Sequence, residues 1–357
     1  MKLEFIYQSI YLAIGTLILF SVLNKSQLPD NSVNKATNTS PLCLVLVVIL
    51  TLFVGFRPVQ VGADTTQYFQ QYYWLDGKSF ELVQNAENPL FDNFMAFARS
   101  YGFDISAVFI PMALIYFGGM YLACKKLFSN NQKIAFVTCL VAFSTFAYGV
   151  NGMKAGAAGS LFLVALAYRE KKWLSIGLTL FTVGIHHSMV VVAYAYIISY
   201  FYRNTKMYFY GWILALFIAT AHITVFQTLF MNYADDKGKE YLMGDGFMTG
   251  FRPDFILYSA MPVFVGYYML FKKKIVNDVY ELWLRMYLTT NSVWMLCMYA
   301  SYTNRIAYLS WFMYPIVLIM PYYAIYTSDN QLITGRKVVL YHLYFTLFMT
   351  FFYNGLR

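Results

Sequence analysis

Charge is scarce in this chain of 357 residues: Asp, Glu, Lys and Arg make up 12% of it, against about 25% in an ordinary soluble domain. With 59% hydrophobic residues and a mean hydropathy of +0.51, that shortage excludes a soluble enzyme, a secreted scaffold and a disordered tail. Cysteine is equally sparse. Cys43, Cys124, Cys139 and Cys297 all lie inside apolar runs, without a CxxC pair and without His at a ligand spacing. Neither a disulfide framework nor a zinc site is readable, and the four read as small core side chains. Strand-like alternation of the kind a membrane barrel needs is missing, as are a Gly-rich phosphate loop, a basic-aromatic RNA motif, an internal repeat and any polar stretch long enough for a soluble second domain.

What is present is a series of long continuous apolar runs. In lipid every backbone group must be satisfied within the segment, and a helix needs about 20 residues to cross. The sequence therefore predicts an all-α polytopic integral membrane protein, a single transmembrane domain over 1–357 with about twelve membrane helices. They fall near 5–23, 41–56, 105–124, 134–150, 152–168, 173–187, 188–202, 207–230, 255–271, 281–300, 305–326 and 338–354. The first run has no basic region beyond Lys2 and no small-residue exit, so it reads as a membrane helix rather than a cleavable signal. Residues 89–103, carrying Asp92 and Arg99, read as an interfacial amphipathic helix.

Lys and Arg set the orientation. One set of loops, with Arg285 counted beside it, collects sixteen bases against five acids, and the other ten against twelve, a split of +11 against −2. The basic set is expected in the cytoplasm, with both termini outside. The basic balance is then topology plus attraction to anionic headgroups, and no nucleic-acid partner is expected.

Five polar clusters fall on the outer side. Gly55 to Tyr68 follows the second helix, and Pro58 stops that helix beside Arg57. Asp64-Thr65-Thr66 resembles a helix N-cap; Asp64 is alternatively a carboxylate at a cavity mouth, able to bind a sugar hydroxyl or take a proton. Asn151-Gly152-Met153-Lys154 breaks two apolar runs ahead of a small-residue helix suited to close packing. Lys154 there either snorkels outward or meets an anionic partner. His186-His187-Ser188 marks a tight helix junction. Adjacent residues of a helix point about 100° apart, so one imidazole only is expected to do chemistry, and histidine suits proton transfer near neutral pH. His222 and His342 read as hydrogen-bonded core residues. Gly250-Phe251-Arg252-Pro253-Asp254-Phe255 offers a local ion pair or a ligand site, and Thr303-Asn304-Arg305 an interface anchor or a further cation site. The run Tyr68 to Trp74 in an outer loop suits sugar stacking or interfacial anchoring. Arg57, Lys154, Arg252 and Arg305 put four cations at outer helix mouths, where a phosphate or pyrophosphate would offset their repulsion.

These strings resemble the EpsG-like, Wzy-type polysaccharide polymerases. Arg57 with Gly62-Ala63-Asp64-Thr65-Thr66-Gln67-Tyr68 is similar to that family's R and G-x-D-T-x-x-Y element, and His186-His187-Ser188 to its H-x-S, which favours His186 over His187. Gly250-Phe251-Arg252-Pro253-Asp254-Phe255 resembles its G-x-R-x-D-F, and Asn304-Arg305-Ile306-Ala307 its N-R-I. Asn151-Gly152-Met153-Lys154-Ala155 departs from its N-x-x-R-Q, keeping charge while losing a bidentate fork. The likeness spans residues 50 to 310.

The resemblance implies a membrane glycosyltransferase with a GT-C-like helical bundle, an O-antigen or capsule polymerase of a bacterial inner membrane. It would move a growing glycan from undecaprenyl pyrophosphate to the terminal sugar of a new lipid-linked repeat unit at the periplasmic face. The lipid-linked oligosaccharides and membrane lipids are the expected partners, with a chain-length regulator as a further one, and neither metal nor other cofactor is expected. His186 and Asp64 are the candidates for the base. Arg57, Tyr68, Lys154, Arg252, Asp254, Asn304 and Arg305 are the candidate substrate contacts, under a cap of outer loops 57–104 and 231–254. Another lipid-linked glycan transferase or ligase, a membrane acyltransferase, and a polysaccharide transporter or flippase are the rival readings. Clusters on one side only, without inverted repeats, argue against transport.

Overall fold

The computed structural model describes residues 2–29, 39–75, 79–231, 239, 243, 250–325, 327–328 and 330–353. Most of the expected cap loop 231–254 therefore lies outside the described residues. In chain order the helices are α1 (Lys2–Leu23), α2 (Pro41–Gly55), α3 (Ala63–Trp74), α4 (Pro89–Ser100), α5 (Ser106–Phe128), α6 (Gln132–Leu140), α7 (Thr145–Val150), α8 (Met153–Ala167) and α9 (Lys172–Ile185). There follow α10 (Met189–Phe201), α11 (Thr205–Thr220), α12 (Val225–Met231), α13 (Pro253–Tyr267), α14 (Asp278–Leu296), α15 (Thr303–Trp311), α16 (Tyr314–Tyr323) and α17 (Gln331–Leu347). No strand occurs among the described residues.

Each expected span meets helix, but three are divided: 134–150 into α6 and α7, 207–230 into α11 and α12, and 305–326 into α15 and α16. At the first division Thr145 turns its hydroxyl back onto the Cys139 carbonyl at 2.7 Å, the local competition by which a hydroxyl interrupts a helix. Leu3–Leu23, Ser106–Leu140, Pro253–Lys272 and Thr303–Tyr323 are long and apolar enough to cross a membrane, and Pro41–Gly55, Met153–Ala167, Lys172–Ile185 and Met189–Phe201 are shorter apolar helices. Large apolar side chains such as Leu17 and Phe217, 71% and 67% exposed, suit a lipid surround rather than water. The protein is membrane-embedded.

The chain forms two compact units, Met1–Met189 with Ile319–Arg357, and Val190–Leu318. In the first, α5 packs against α2, α6 and α8. Its contact with α8 is close because Gly119 has no side chain: a Cβ there would lie 2.8 Å from Ser160 Oγ, and the Ser160 hydroxyl donates to the Tyr116 carbonyl across the same interface. The small-residue stretch of α8 thus serves packing. At one end of this unit the base-rich loops meet. Lys126 pairs with Glu170 at 2.6 Å, Asn131 donates to Gln27 O at 2.8 Å, and Arg336 donates to Asn24 O at 3.4 Å. Elsewhere in the unit Asn151 donates to Glu4 Oε1 at 2.9 Å.

In the second unit α14 packs against α11, α13 and α15 around an aromatic core in which Trp283, Trp294, Trp311, Tyr258, Tyr280, Tyr287 and Tyr314 are fully buried. Two polar tips of this core converge on one serine of α13: Trp311 Nε1 donates to Ser259 Oγ at 2.8 Å, and the Tyr287 hydroxyl to Ser259 O at 2.8 Å. Of the two histidines expected in the core, His342 is there, its Nε2 lying 3.3 Å from Thr138 O. His222 is not. It is exposed just beyond the end of α11, because the helix closes there and the chain turns outward.

Candidate active site

After α2 the chain turns at Pro58 and re-enters helix at Ala63, and Arg57 reaches back into the protein. Its side chain is 5% exposed. Nη1 donates to Val54 O at 2.9 Å, Nε to Thr65 Oγ1 at 3.0 Å, and Nη2 to Val150 O at 3.1 Å. The guanidinium carbon lies 4.0 Å from the centre of the Phe109 ring. One residue therefore ties together the end of α2, the start of α3, the end of α7 and the wall of α5. Burial lowers its pKa to about 10, which leaves it charged at neutral pH.

Gly62 makes the turn into α3 with φ of +101°, and a Cβ on it would sit 2.5 Å from Val150 Cγ1 and 2.7 Å from Asn151 Oδ1. Here the expected cap is corrected: Gly62, not Asp64, is the N-cap residue, and it makes no side-chain cap of its own. Asp64 instead lies in the first turn, where a carboxylate favours the helix dipole. It is half-buried, and its backbone N–H donates to Asn151 Oδ1 at 3.3 Å.

The aromatic run expected in an outer loop is helical. It forms α3, with Tyr68 and Tyr72 buried and Trp74 81% exposed. Tyr72 and Tyr73 fasten α3 to the start of α5 by hydrogen bonds of 2.8 Å each to Phe103 O and Asp104 Oδ1, and the Tyr73 hydroxyl holds the Asp104 carboxyl below its ordinary pKa. Lys154, in the first turn of α8, places Nζ 5.1 Å from the Phe91 ring and 5.8 Å from the Tyr68 ring. The two rings meet edge to face at 5.9 Å. An ammonium over aromatic faces is stabilised without losing its charge.

His186 and His187 do not follow the helical geometry that the sequence suggested. His186 is the residue after α9 and is extended, with φ of −148°, so the 100° rule for neighbouring helical residues does not apply. The two rings stack at 5.6 Å with 11° between their planes. Ser188 Oγ lies 2.7 Å from His186 Nδ1, which gives the H-x-S spacing a physical meaning: the hydroxyl holds the imidazole through that nitrogen. His187 contributes backbone, its N–H donating to Asn88 Oδ1 at 3.2 Å.

Asn88 and Phe91 belong to the same first turn of the amphipathic helix α4, whose observed bounds are Pro89–Ser100. Residues three apart lie on one helix face. Through that turn the structure brings together Tyr68, Lys154 and the histidine junction. Asn88 was not a candidate from the sequence, although the string Asn88-Pro89 with Asp92 has the look of a helix start. The Asn88 N–H indeed bonds to Asp92 Oδ2 at 3.1 Å.

In the second unit Arg252 and Asp254 form a two-pronged ion pair, Nε to Oδ1 at 3.0 Å and Nη2 to Oδ2 at 2.6 Å, with both side chains 9% exposed. The guanidinium lies 3.7 Å over the Phe255 ring. Phe255 packs against Trp294, with centroids 6.3 Å apart, and Trp294 Nε1 donates to Thr303 Oγ1 at 2.9 Å. Thr303 opens α15, so Asn304 and Arg305 stand beyond the same aromatic wall. Arg305 is exposed, 5.1 Å from the ring of Tyr302, a residue in left-handed conformation with φ of +51°. The candidate residues thus fall into two groups: Arg57, Asp64, Tyr68, Lys154 and His186 in the first unit, and Arg252, Asp254, Asn304 and Arg305 in the second.

Neither a curated protein nor a solved structure matches the chain. The model of the EpsG family matches residues 41–356, nearly all of it, and the chain belongs to that family.

Proposed function

We propose that this protein is a Wzy-type polysaccharide polymerase of a bacterial inner membrane. Family membership supports a membrane glycan polymerase-like function. The finer reading is that a growing glycan leaves undecaprenyl pyrophosphate and joins the terminal sugar of a new lipid-linked repeat unit at the periplasmic face, with twelve crossings carrying the base-rich loops to the cytoplasm. An O-antigen or capsule polysaccharide is the product class, and the lipid-linked donor and acceptor are the partners.

The observation that carries the reading is the His186–Ser188 pair, 2.7 Å apart, at a junction bonded to the same helical turn that supports Lys154 and Tyr68. In the proposed step His186 Nε2 takes the proton of the acceptor hydroxyl as its oxygen attacks the anomeric carbon. The bond from that carbon to the pyrophosphate oxygen breaks, and the charge leaves with the lipid pyrophosphate. Preorganised cations stabilise a charge that develops in this way; Lys154 is assigned that role, and in the second unit the exposed Arg305 is assigned a phosphate contact. Asp64 and Tyr68 would hold the acceptor sugar, and Asn304 would orient Arg305. Arg57 and Arg252, whose donors are engaged by protein groups, are assigned to positioning.

The test is the glycan of a strain lacking this chain. Lipid capped with one repeat unit and no longer rungs is expected, restored to a full ladder by the wild-type chain. Long chains that persist without it would overturn the proposal.

A further inference from the structure

His222 lies outside every motif that the family likeness absorbs. Helix α11 closes with the His222 N–H donating to Ala219 O at 3.2 Å and the Ile223 N–H to Ile218 O at 3.1 Å, and His222 takes φ of +56°. Paired closing bonds of this type place their turning residue in the left-handed region, where glycine is favoured first and asparagine next because a Cβ is crowded. Histidine enters this region more readily than most residues with a Cβ, but the helix end alone gives no reason for an imidazole.

The side chain supplies one. The imidazole lies 3.9 Å from the Tyr299 ring, centre to centre, with 2° between the planes. Tyr299 is itself pinned, its hydroxyl donating to Ala219 O at 2.9 Å, the same carbonyl that the His222 N–H uses. Its neighbours Cys297 and Ala300 are buried beneath it against Phe230 and Ile306. His222 is exposed. The result is an exposed flat ring, backed on one face by Tyr299 and edged with nitrogen.

A pyranose ring presents an apolar C–H face ringed by hydroxyls, and a flat aromatic face with polar edges matches both. We infer that His222, backed by Tyr299, is a carbohydrate-stacking subsite that takes a pyranose ring of the glycan. This inference rests on the polymerase reading for its choice of ligand.

The test uses the full-length protein in lipid nanodiscs and saturation-transfer NMR with the methyl pyranosides of glucose, galactose, rhamnose and N-acetylglucosamine as probes. At least one is expected to receive saturation from the wild type. His222→Gly and His222→Asn remove the ring while suiting the backbone, so both are expected to keep or raise Tm while binding roughly three- to tenfold more weakly. Wild-type protein that binds none of the probes, or variants that bind as the wild type does, would overturn the subsite. Binding that is lost in the variants while a strain lacking the chain still makes long glycan would support the subsite and remove the polymerase reading.

Discussion

Arg57 Nε and Thr65 Oγ1 are 3.0 Å apart, and that bond fixes how α3 leaves the end of α2. The guanidinium spends its other bonds on Val54 O and Val150 O, a fork that an ammonium cannot reproduce. Arg57→Lys is therefore expected to lower stability by about 2–4 kcal/mol, read as a fall in Tm of the detergent-solubilised protein. Full stability with lost polymer would instead place the guanidinium on substrate.

Gly62→Ala should be more damaging than Gly102→Ala, though both glycines have positive φ. At Gly62 a Cβ meets Val150 and Asn151 within 2.7 Å, whereas at Gly102 it meets nothing within 4 Å. The second change carries the conformational cost alone, roughly 1–2 kcal/mol. The first adds a collision that pushes α3 from the α7–α8 break, so its Tm should fall further and its glycan ladder shorten. Equal Tm losses would mean that the α3 turn yields freely.

The two candidate arginines of the second unit, Arg252 and Arg305, should separate by experiment. Asp254→Ala leaves a buried guanidinium uncompensated and is expected to cost about 3–5 kcal/mol. Arg305 is exposed, so Arg305→Lys should alter stability by less than about 0.5 kcal/mol yet shorten the glycan if bidentate phosphate contact matters. A normal ladder from Arg305→Lys would reduce that residue to an interface anchor.

The helices were legible because apolar runs are a composition signal, and α4 because its charges fall on one face. Their internal breaks were not. Nothing in the local pattern announces that Thr145 bonds back to Cys139 O, since hydroxyls also sit quietly inside helices. The aromatic run 68–74 read as part of an outer loop because its polar positions masked a buried edge of Tyr68 and Tyr72. At the candidate site the motifs named the right neighbourhoods but not the bonds. Arg57 looked like a free cation at a helix mouth, and only the fold reveals Val150 O from ninety-three residues away as its acceptor. The histidine pair escaped for a related reason: its backbone is extended at His186, not helical as the neighbouring apolar runs suggest.

That junction gives the most discriminating prediction. If His186 Nε2 is the base, His186→Ala should lower the polymerisation rate by roughly 10²–10⁴-fold while the protein still inserts and keeps its Tm. Ser188→Ala leaves the imidazole in place but removes the hydroxyl 2.7 Å from Nδ1. Losing one hydrogen bond of about 1 kcal/mol should slow the reaction several-fold and move the acid-side limb of its pH–rate profile, where the base becomes protonated, which a merely structural defect would not do. His187→Ala is the control. That residue donates its backbone N–H to Asn88, and alanine retains the donor, so near-normal chain length is expected. Long ladders from His186→Ala alongside short ones from His187→Ala would exchange the two roles and sink the assignment.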